Sequence, residues 1–282
     1  MQITEKSIKV GSLNWFYREI VPNRDNNKPP VLLLHGLPSQ SYSWREIMPT
    51  IAEYGLRAIA PDWIGSGFSA KPEKRDFAYT PDTYLKALCE LVRSLEIEKH
   101  SLVVQGFLGS VGLQYALRNP DAIERLVILN TPLSPTAKLP WKMAQWGIPL
   151  VGDMLTQDPI LIDRTLEGGS GFVIADEHLD IYRKPLLTTS ASGRALKGTI
   201  ENLKLSESTS EIESGLAKWE KPTLIIWGMA DPWLSSEDAE KLANSKSNIE
   251  LVKLEEAKHY PQEHWSKEMG LDLVNFLRRQ SN

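Results

Sequence analysis

An acid and an imidazole stand at a workable spacing in the last third of the chain: Asp231, in Gly228-Met229-Ala230-Asp231-Pro232, and His259, in Lys258-His259-Tyr260-Pro261. An imidazole held in one orientation by a carboxylate is a general base, able to take a proton from water or from a substrate. Their separation of 28 residues (259 minus 231) holds one helical pattern, Ser236 to Asn244, and one strand pattern, Ile249 to Leu254, which brings both residues to the same sheet edge. Each has a plainer reading when taken alone. An Asp before Pro caps a helix or turn, and a histidine in a loop stands on the surface.

Other chemistry is sparse. Cys89 is the only cysteine, so no intrachain disulfide can form, and its place in a helical pattern predicts a small buried apolar residue in a reducing compartment. No phosphate loop, dinucleotide fingerprint or zinc spacing occurs, so neither a cofactor nor a metal is expected. The net charge of −4 and the pI near 5.8 provide no basic excess for a phosphate backbone, which argues against nucleic acid. Met1 to Val10 lacks the apolar stretch of a secretory signal, and no run approaches the roughly 18 apolar residues of a membrane span; a cytoplasmic location is expected.

The elements that must position the acid and the base are legible as short apolar runs. Pro30 to Leu34, Leu56 to Ala60, Ser101 to Val104, Leu126 to Leu129 and Thr223 to Trp227 are too short for helices and too apolar for half-exposed strands, so they predict parallel strands buried on both faces. Between them lie helical patterns such as Thr80 to Leu95, where Tyr84, Leu88, Leu91 and Leu95 share one stripe. This alternation implies an α/β fold whose mostly parallel sheet is flanked by helices and meets ligands at its carboxyl edge. It breaks between about Leu133 and Ile212, a stretch with helical patterns and no strand run. The expected organisation is a core of residues 1–132 and 213–282 closing around a helical cap insertion, 133–212.

His35-Gly36-Leu37-Pro38-Ser39, Pro61-Asp62-Trp63-Ile64-Gly65-Ser66-Gly67-Phe68-Ser69, Gly228 to Pro232 and Lys258 to Glu263 follow successive strands in an order that resembles the α/β-hydrolase superfamily. Tyr42-Ser43-Trp44-Arg45 and Tyr182-Arg183-Lys184-Pro185 are similar to its haloalkane dehalogenase and epoxide hydrolase branch. The resemblance implies an α/β-hydrolase fold in which Asp231 orients His259 and the backbone N–H groups of Leu37 and Phe107 hold a developing oxyanion. His35, beside Gly36, is read as holding the loop that presents Leu37 in preference to a catalytic role.

The same resemblance locates a gap. Its nucleophile falls fourteen positions before Pro120, at Gly106, within Gln105-Gly106-Phe107-Leu108-Gly109. Neither glycine there nor Phe107 in a register one residue later can attack anything, and Ser110 lies too far into the following helix, with its hydroxyl expected to bond a backbone carbonyl. Glycine occupies the positive φ of such an elbow almost freely, where another residue would be strained by about 1–3 kcal/mol. Leu37 and Phe107 also stand where dehalogenases of this branch carry a halide-holding asparagine and tryptophan, so dehalogenation through a covalent intermediate is disfavoured.

Three functions fit these residues. One is an enzyme without a covalent step, a hydrolase or lyase using His259 as base on a small apolar substrate in a pocket lined by Trp63, Trp141, Trp146 and Tyr182. The second is a catalytically inactive homologue that binds or regulates through that pocket. The third is a partner-binding protein whose apolar stretch Trp141 to Val151 meets another protein or a membrane surface.

Overall fold

Leu32 and Leu34 face one side of the central sheet, Val31 and Leu33 face the other, and all four are buried. Successive strand side chains point to opposite faces, so a strand covered on both sides must be apolar without interruption. The computed structural model describes residues 1–24 and 27–279; Asp25, Asn26 and the last three positions of the expected core segment 213–282 lie outside the described residues. Its strands are β1 (Thr4–Val10), β2 (Leu13–Ile20), β3 (Val31–Leu34), β4 (Ala58–Pro61), β5 (His100–Gln105), β6 (Ile123–Leu129), β7 (Thr223–Gly228) and β8 (Ile249–Leu254).

They form one sheet in the order β1-β2-β4-β3-β5-β6-β7-β8. β1 and β2 pair antiparallel, as do β2 and β4, and every other pair is parallel. β3 has β4 on one side and β5 on the other, so the chain reverses its direction of travel across the sheet at β3. The loops leaving β3 and β5 therefore diverge and open a crevice at their carboxyl ends.

Helices α1 (Ile47–Glu53), α2 (Pro81–Ser94) and α3 (Gly109–Arg118) belong to the first half of the core. α2 begins as its sequence dictates: Thr80 caps it by accepting from the Thr83 N–H, and Pro81 fills the first turn. Tyr84, Leu88 and Leu91 are buried on its inner stripe. Cys89, one position off that stripe, is half-buried and not the fully buried residue expected.

Between β6 and β7 the chain makes no strand among the described residues. It runs through α4 (Trp141–Ala144), α5 (Val151–Leu155), α6 (Ile160–Ser170), α7 (Asp176–Thr188), α8 (Ser190–Asn202) and α9 (Leu205–Ala217). α9 crosses position 212, at which the sequence reading ended the insertion. Met143, Trp146, Leu196, Ile200 and Ile212 join the apolar cluster of α2, α3 and the sheet, so these helices share the core's packing. Trp141, Leu150 and Met154 are exposed on the insert. The chain closes with α10 (Ser236–Ser245), α11 (Pro261–His264) and α12 (Ser266–Arg278), the last packed with α1 on the opposite face of the sheet. Among the described residues no helix is long and apolar enough to cross a membrane.

Candidate active site

β5 turns into α3 through Gly106, whose φ of +71° lies in the region that glycine enters without strain. Its backbone is pressed against the loop after β3. A β-carbon added at Gly106 would lie 3.0 Å from Gly36 Cα, 3.5 Å from His259 Nε2 and 3.7 Å from the Leu37 nitrogen. A side chain placed at this turn would thus point at an imidazole and at a backbone N–H.

Asp231 and His259 meet. Asp231 sits just after β7 and His259 after β8, and His259 Nδ1 is 2.8 Å from Asp231 Oδ2 with both side chains fully buried. A proton on Nδ1 donated to the carboxylate leaves the Nε2 lone pair free, and Nε2 has no hydrogen-bond partner among the described residues. Asp231 Oδ1 accepts from the Trp233 and Leu234 N–H groups at 2.8 and 3.2 Å. Asp231 therefore caps a turn through Oδ1 and meets His259 through Oδ2. The plain reading of His259 as a surface histidine fails.

Aromatic rings enclose the imidazole. Phe107 stacks on it with centroids 5.3 Å apart, Trp233 lies 4.7 Å away, and Tyr260 meets it edge-on at 4.9 Å. Tyr260 donates its hydroxyl to the Leu37 carbonyl at 2.7 Å, tying the loop that carries His259 to the loop after β3. His35 supports that loop from behind. Its Nε2 accepts from the Trp63 N–H at 3.1 Å and its Nδ1 donates to the Gly36 carbonyl at 2.8 Å, and burial lowers its pKa and keeps it neutral. Ser110 donates to the Phe107 carbonyl at 2.7 Å, the backbone bond expected of it. Gln105 donates from Nε2 to the His259 carbonyl at 2.8 Å.

The structure thus brings Asp231, His259, Gly106, Leu37 and Phe107 together, and separates them from most of the expected pocket wall. A narrow cleft opens beside Leu37, between the loops after β3 and β4 and helices α6, α7 and α8. Of the four residues expected to line the pocket, only Tyr182 lines this cleft. Trp63 is instead a buried brace, its Nε1 donating to the His35 carbonyl at 2.9 Å and its ring set edge-on to Tyr84. Trp146 is buried in the apolar cluster beneath the insert, and Trp141 is 72% exposed. An apolar ring in a helical sequence fits a core, a pocket wall or a surface equally well, and the sequence carries no signal that chooses.

Several site residues escaped the sequence reading. Asn130, after β6, donates to Asp231 Oδ2 at 2.8 Å while exchanging bonds with the backbone of Gly228. Glu263 is fully buried, paired with Arg45 at 2.9 Å, and accepts the hydroxyl of Tyr182 from the insert. Burial and the Glu263 charge raise the Tyr182 pKa well above its ordinary value, so the phenol keeps its proton. Tyr42 also reaches the insert, with its hydroxyl 2.8 Å from His178 Nδ1. Only the Tyr42-to-Arg45 and Lys258-to-Glu263 phrases hinted at this cluster, and they did not show that Arg45 and Glu263 pair. Among the described residues no group of three His, Cys, Asp or Glu side chains is placed to hold a metal ion.

Comparison with known proteins agrees with this architecture. A family model described as the alpha/beta hydrolase fold matches residues 29–160. A haloalkane dehalogenase of Mycobacterium marinum is 31% identical over 222 residues, covering 74% of this chain and 71% of that protein. The cis-3-alkyl-4-alkyloxetan-2-one decarboxylase of Shewanella oneidensis is 27% identical over 270 residues, covering 88% and 81% respectively. The crystal structure of the haloalkane dehalogenase DbeA from Bradyrhizobium elkani superposes with a TM-score of 0.85 at 24% identity, over 98% of each chain. With its sheet order, its helical insert and its Asp231–His259 pair, the chain belongs to the α/β-hydrolase fold family.

Proposed function

We propose that this protein acts on a small apolar molecule without forming a covalent intermediate, using His259 as the base. One observation carries the reading: the residue at the strand-to-helix turn, whose side chain would meet His259 Nε2 at 3.5 Å, is glycine. The reading is supported by relatives whose printed names are haloalkane dehalogenase and cis-3-alkyl-4-alkyloxetan-2-one decarboxylase. In a hydrolase of this kind, water loses a proton to Nε2 as its oxygen adds to the substrate carbonyl carbon. The resulting oxyanion accepts from the Leu37 and Phe107 N–H groups. Collapse expels the leaving oxygen, which takes the proton back from the imidazolium, and Asp231 stays ionised throughout.

A second reading, a homologue that binds its ligand without turnover, is favoured by the complete burial of His259 behind Phe107, Trp233 and Tyr260. One panel separates the two. Aryl esters, epoxides and haloalkanes are assayed with the parent, His259→Ala, Gly106→Ser and Gly106→Asp. Turnover in the parent that disappears in His259→Ala supports the base mechanism. A silent parent whose melting temperature rises with ligand overturns it in favour of binding, and activity that appears only in Gly106→Ser or Gly106→Asp assigns Gly106 as an emptied nucleophile position.

A further inference from the structure

Any molecule that meets His259 must pass one of the rings around it, because the imidazole is fully buried behind Phe107, Trp233 and Tyr260. Two of these rings are held. Phe107 is fully buried in the main apolar cluster, and Tyr260 is fully buried with its hydroxyl donated to the Leu37 carbonyl at 2.7 Å. The cleft beside Leu37 offers no seat either, since it encloses only about 40 Å³, room for a few waters at most.

Trp233 differs from both. It is only half-buried, and its indole, 4.7 Å from the His259 ring, also lines a cavity of about 230 Å³ that it shares with Thr131, Pro132, Leu133, Trp227 and Leu234. A cavity of about 150 Å³ accepts benzene, so an indole, with nine ring atoms against six, needs about 225 Å³, and this cavity can take the ring. The Trp233 backbone stays in place, because its N–H donates to Asp231 Oδ1 at 2.8 Å. The indole turns about its two side-chain torsions alone, without disturbing the bond between Asp231 and His259. Toward the insert there is no slack: a β-carbon added at Gly169 of α6 would lie 2.5 Å from Trp233 Cη2. The cavity is the side on which the ring has room.

We propose that Trp233 is the gate to His259: turned into the cavity, its indole leaves a seat of its own size beside the imidazole, between Phe107, Tyr260 and Gly169, for a planar apolar molecule. The rings of Phe107 and Tyr260 favour a flat partner through offset or edge-on contact, as they do the indole itself. This inference names the substrate class of the base proposed above and rests on that reading. It makes Trp233 a specificity determinant, distinct from the base and its acid.

The test reads access to the imidazole and needs no turnover. The full chain is treated near neutral pH with diethyl pyrocarbonate, which carbethoxylates unprotonated imidazoles, and the rate at each histidine is followed by peptide mass spectrometry, with the fully buried His35 and His100 as internal references. In Trp233→Ala the His259 rate rises about tenfold or more while His35 and His100 stay unlabelled. Added indole refills the seat and slows the reaction again. Leu196→Ala, which widens the cleft beside Leu37, leaves the His259 rate at the parent's value. If Trp233→Ala also labels His35 and His100, its fold has loosened, and Trp233→Phe, a smaller ring in the same place, is read instead, with an expected rise of about threefold. An unchanged His259 rate in whichever of the two variants keeps its references silent, or an equal rise in Leu196→Ala, overturns the gate and leaves the base standing. A faster rate that indole does not slow overturns the planar ligand class. Loss or retention of turnover in His259→Ala bears on the base alone.

Discussion

Asn130 donates from Nδ2 to Asp231 Oδ2 at 2.8 Å, the same oxygen that receives the His259 Nδ1 proton. With the Trp233 and Leu234 N–H groups on Oδ1, the carboxylate has four donors and a single orientation. Asn130 is itself fixed by a donor and an acceptor bond to Gly228, and it sits at a φ of +36° that asparagine tolerates better than most residues. Asn130→Ala is expected to cost about 2–3 kcal/mol in urea denaturation. Nitrogen-15 correlation spectra of the His259 ring should then show a mixture of tautomers where the parent shows one.

How much of this was readable beforehand depended on the range of the interaction. The strands were legible because residues 31–34, 101–104 and 223–227 are apolar without a break, a pattern with one local cause. Asp231 and His259 were legible because the phrases around them resemble the α/β-hydrolase pattern and one helix and one strand fit between them. Arg45 and Glu263 are 218 positions apart, and Asn130 and Asp231 are 101 apart. No local pattern marks such partners, since a charged or amide residue in a loop is ordinarily solvated. The tryptophans misled for the converse reason: Trp63, Trp141 and Trp146 are alike in type and differ only in what packs around them.

Gly106→Ala isolates the cost of a side chain at the elbow from any chemistry. The positive φ and the 3.0 Å approach of the new β-carbon to Gly36 Cα should together destabilise the fold by about 1–3 kcal/mol. Thermal unfolding measures it, and a variant as stable as the parent would show that the turn relaxes freely.

Glu263 is expected to hold the insert down. Removing its charge with Glu263→Gln leaves the largely buried Arg45 with only its longer, 3.7 Å pairing to the exposed Glu46 and should cost about 3 kcal/mol. Tyr182→Phe loses one hydrogen bond to a charged group and should cost about 1.5–3 kcal/mol. The two losses should be less than additive in a double-mutant cycle, and limited proteolysis should cut first within residues 141–217 in both variants.

Acid sensitivity should come in part from His100. It is fully buried, stacks on Tyr115, and burial pushes its pKa down to about 4 from the ordinary 6.5. Between these values the unfolded chain binds a proton that the folded chain does not, so stability rises with pH across the window and is lost as pH falls from about 6.5 to 4. The full loss is roughly 3 kcal/mol. His100→Phe should flatten that part of a stability–pH curve measured by urea denaturation; His35, shifted in the same direction, leaves a residual slope.

The contact between Gly36 and Gly106 is not symmetric. A β-carbon at Gly36 would collide with Gln105 Oε1 at 2.7 Å, the Gln105 carbonyl at 2.8 Å and Gly106 Cα at 2.9 Å, two of them backbone atoms that cannot swing aside. At Gly106 the tightest neighbour stands at 3.0 Å and the next two at ordinary van der Waals range. In a saturation library, position 36 should therefore tolerate nothing but glycine, while position 106 should accept small residues at a modest loss of stability. The chain stands one codon change from placing a side chain against His259, and that change requires no second mutation in the facing loop.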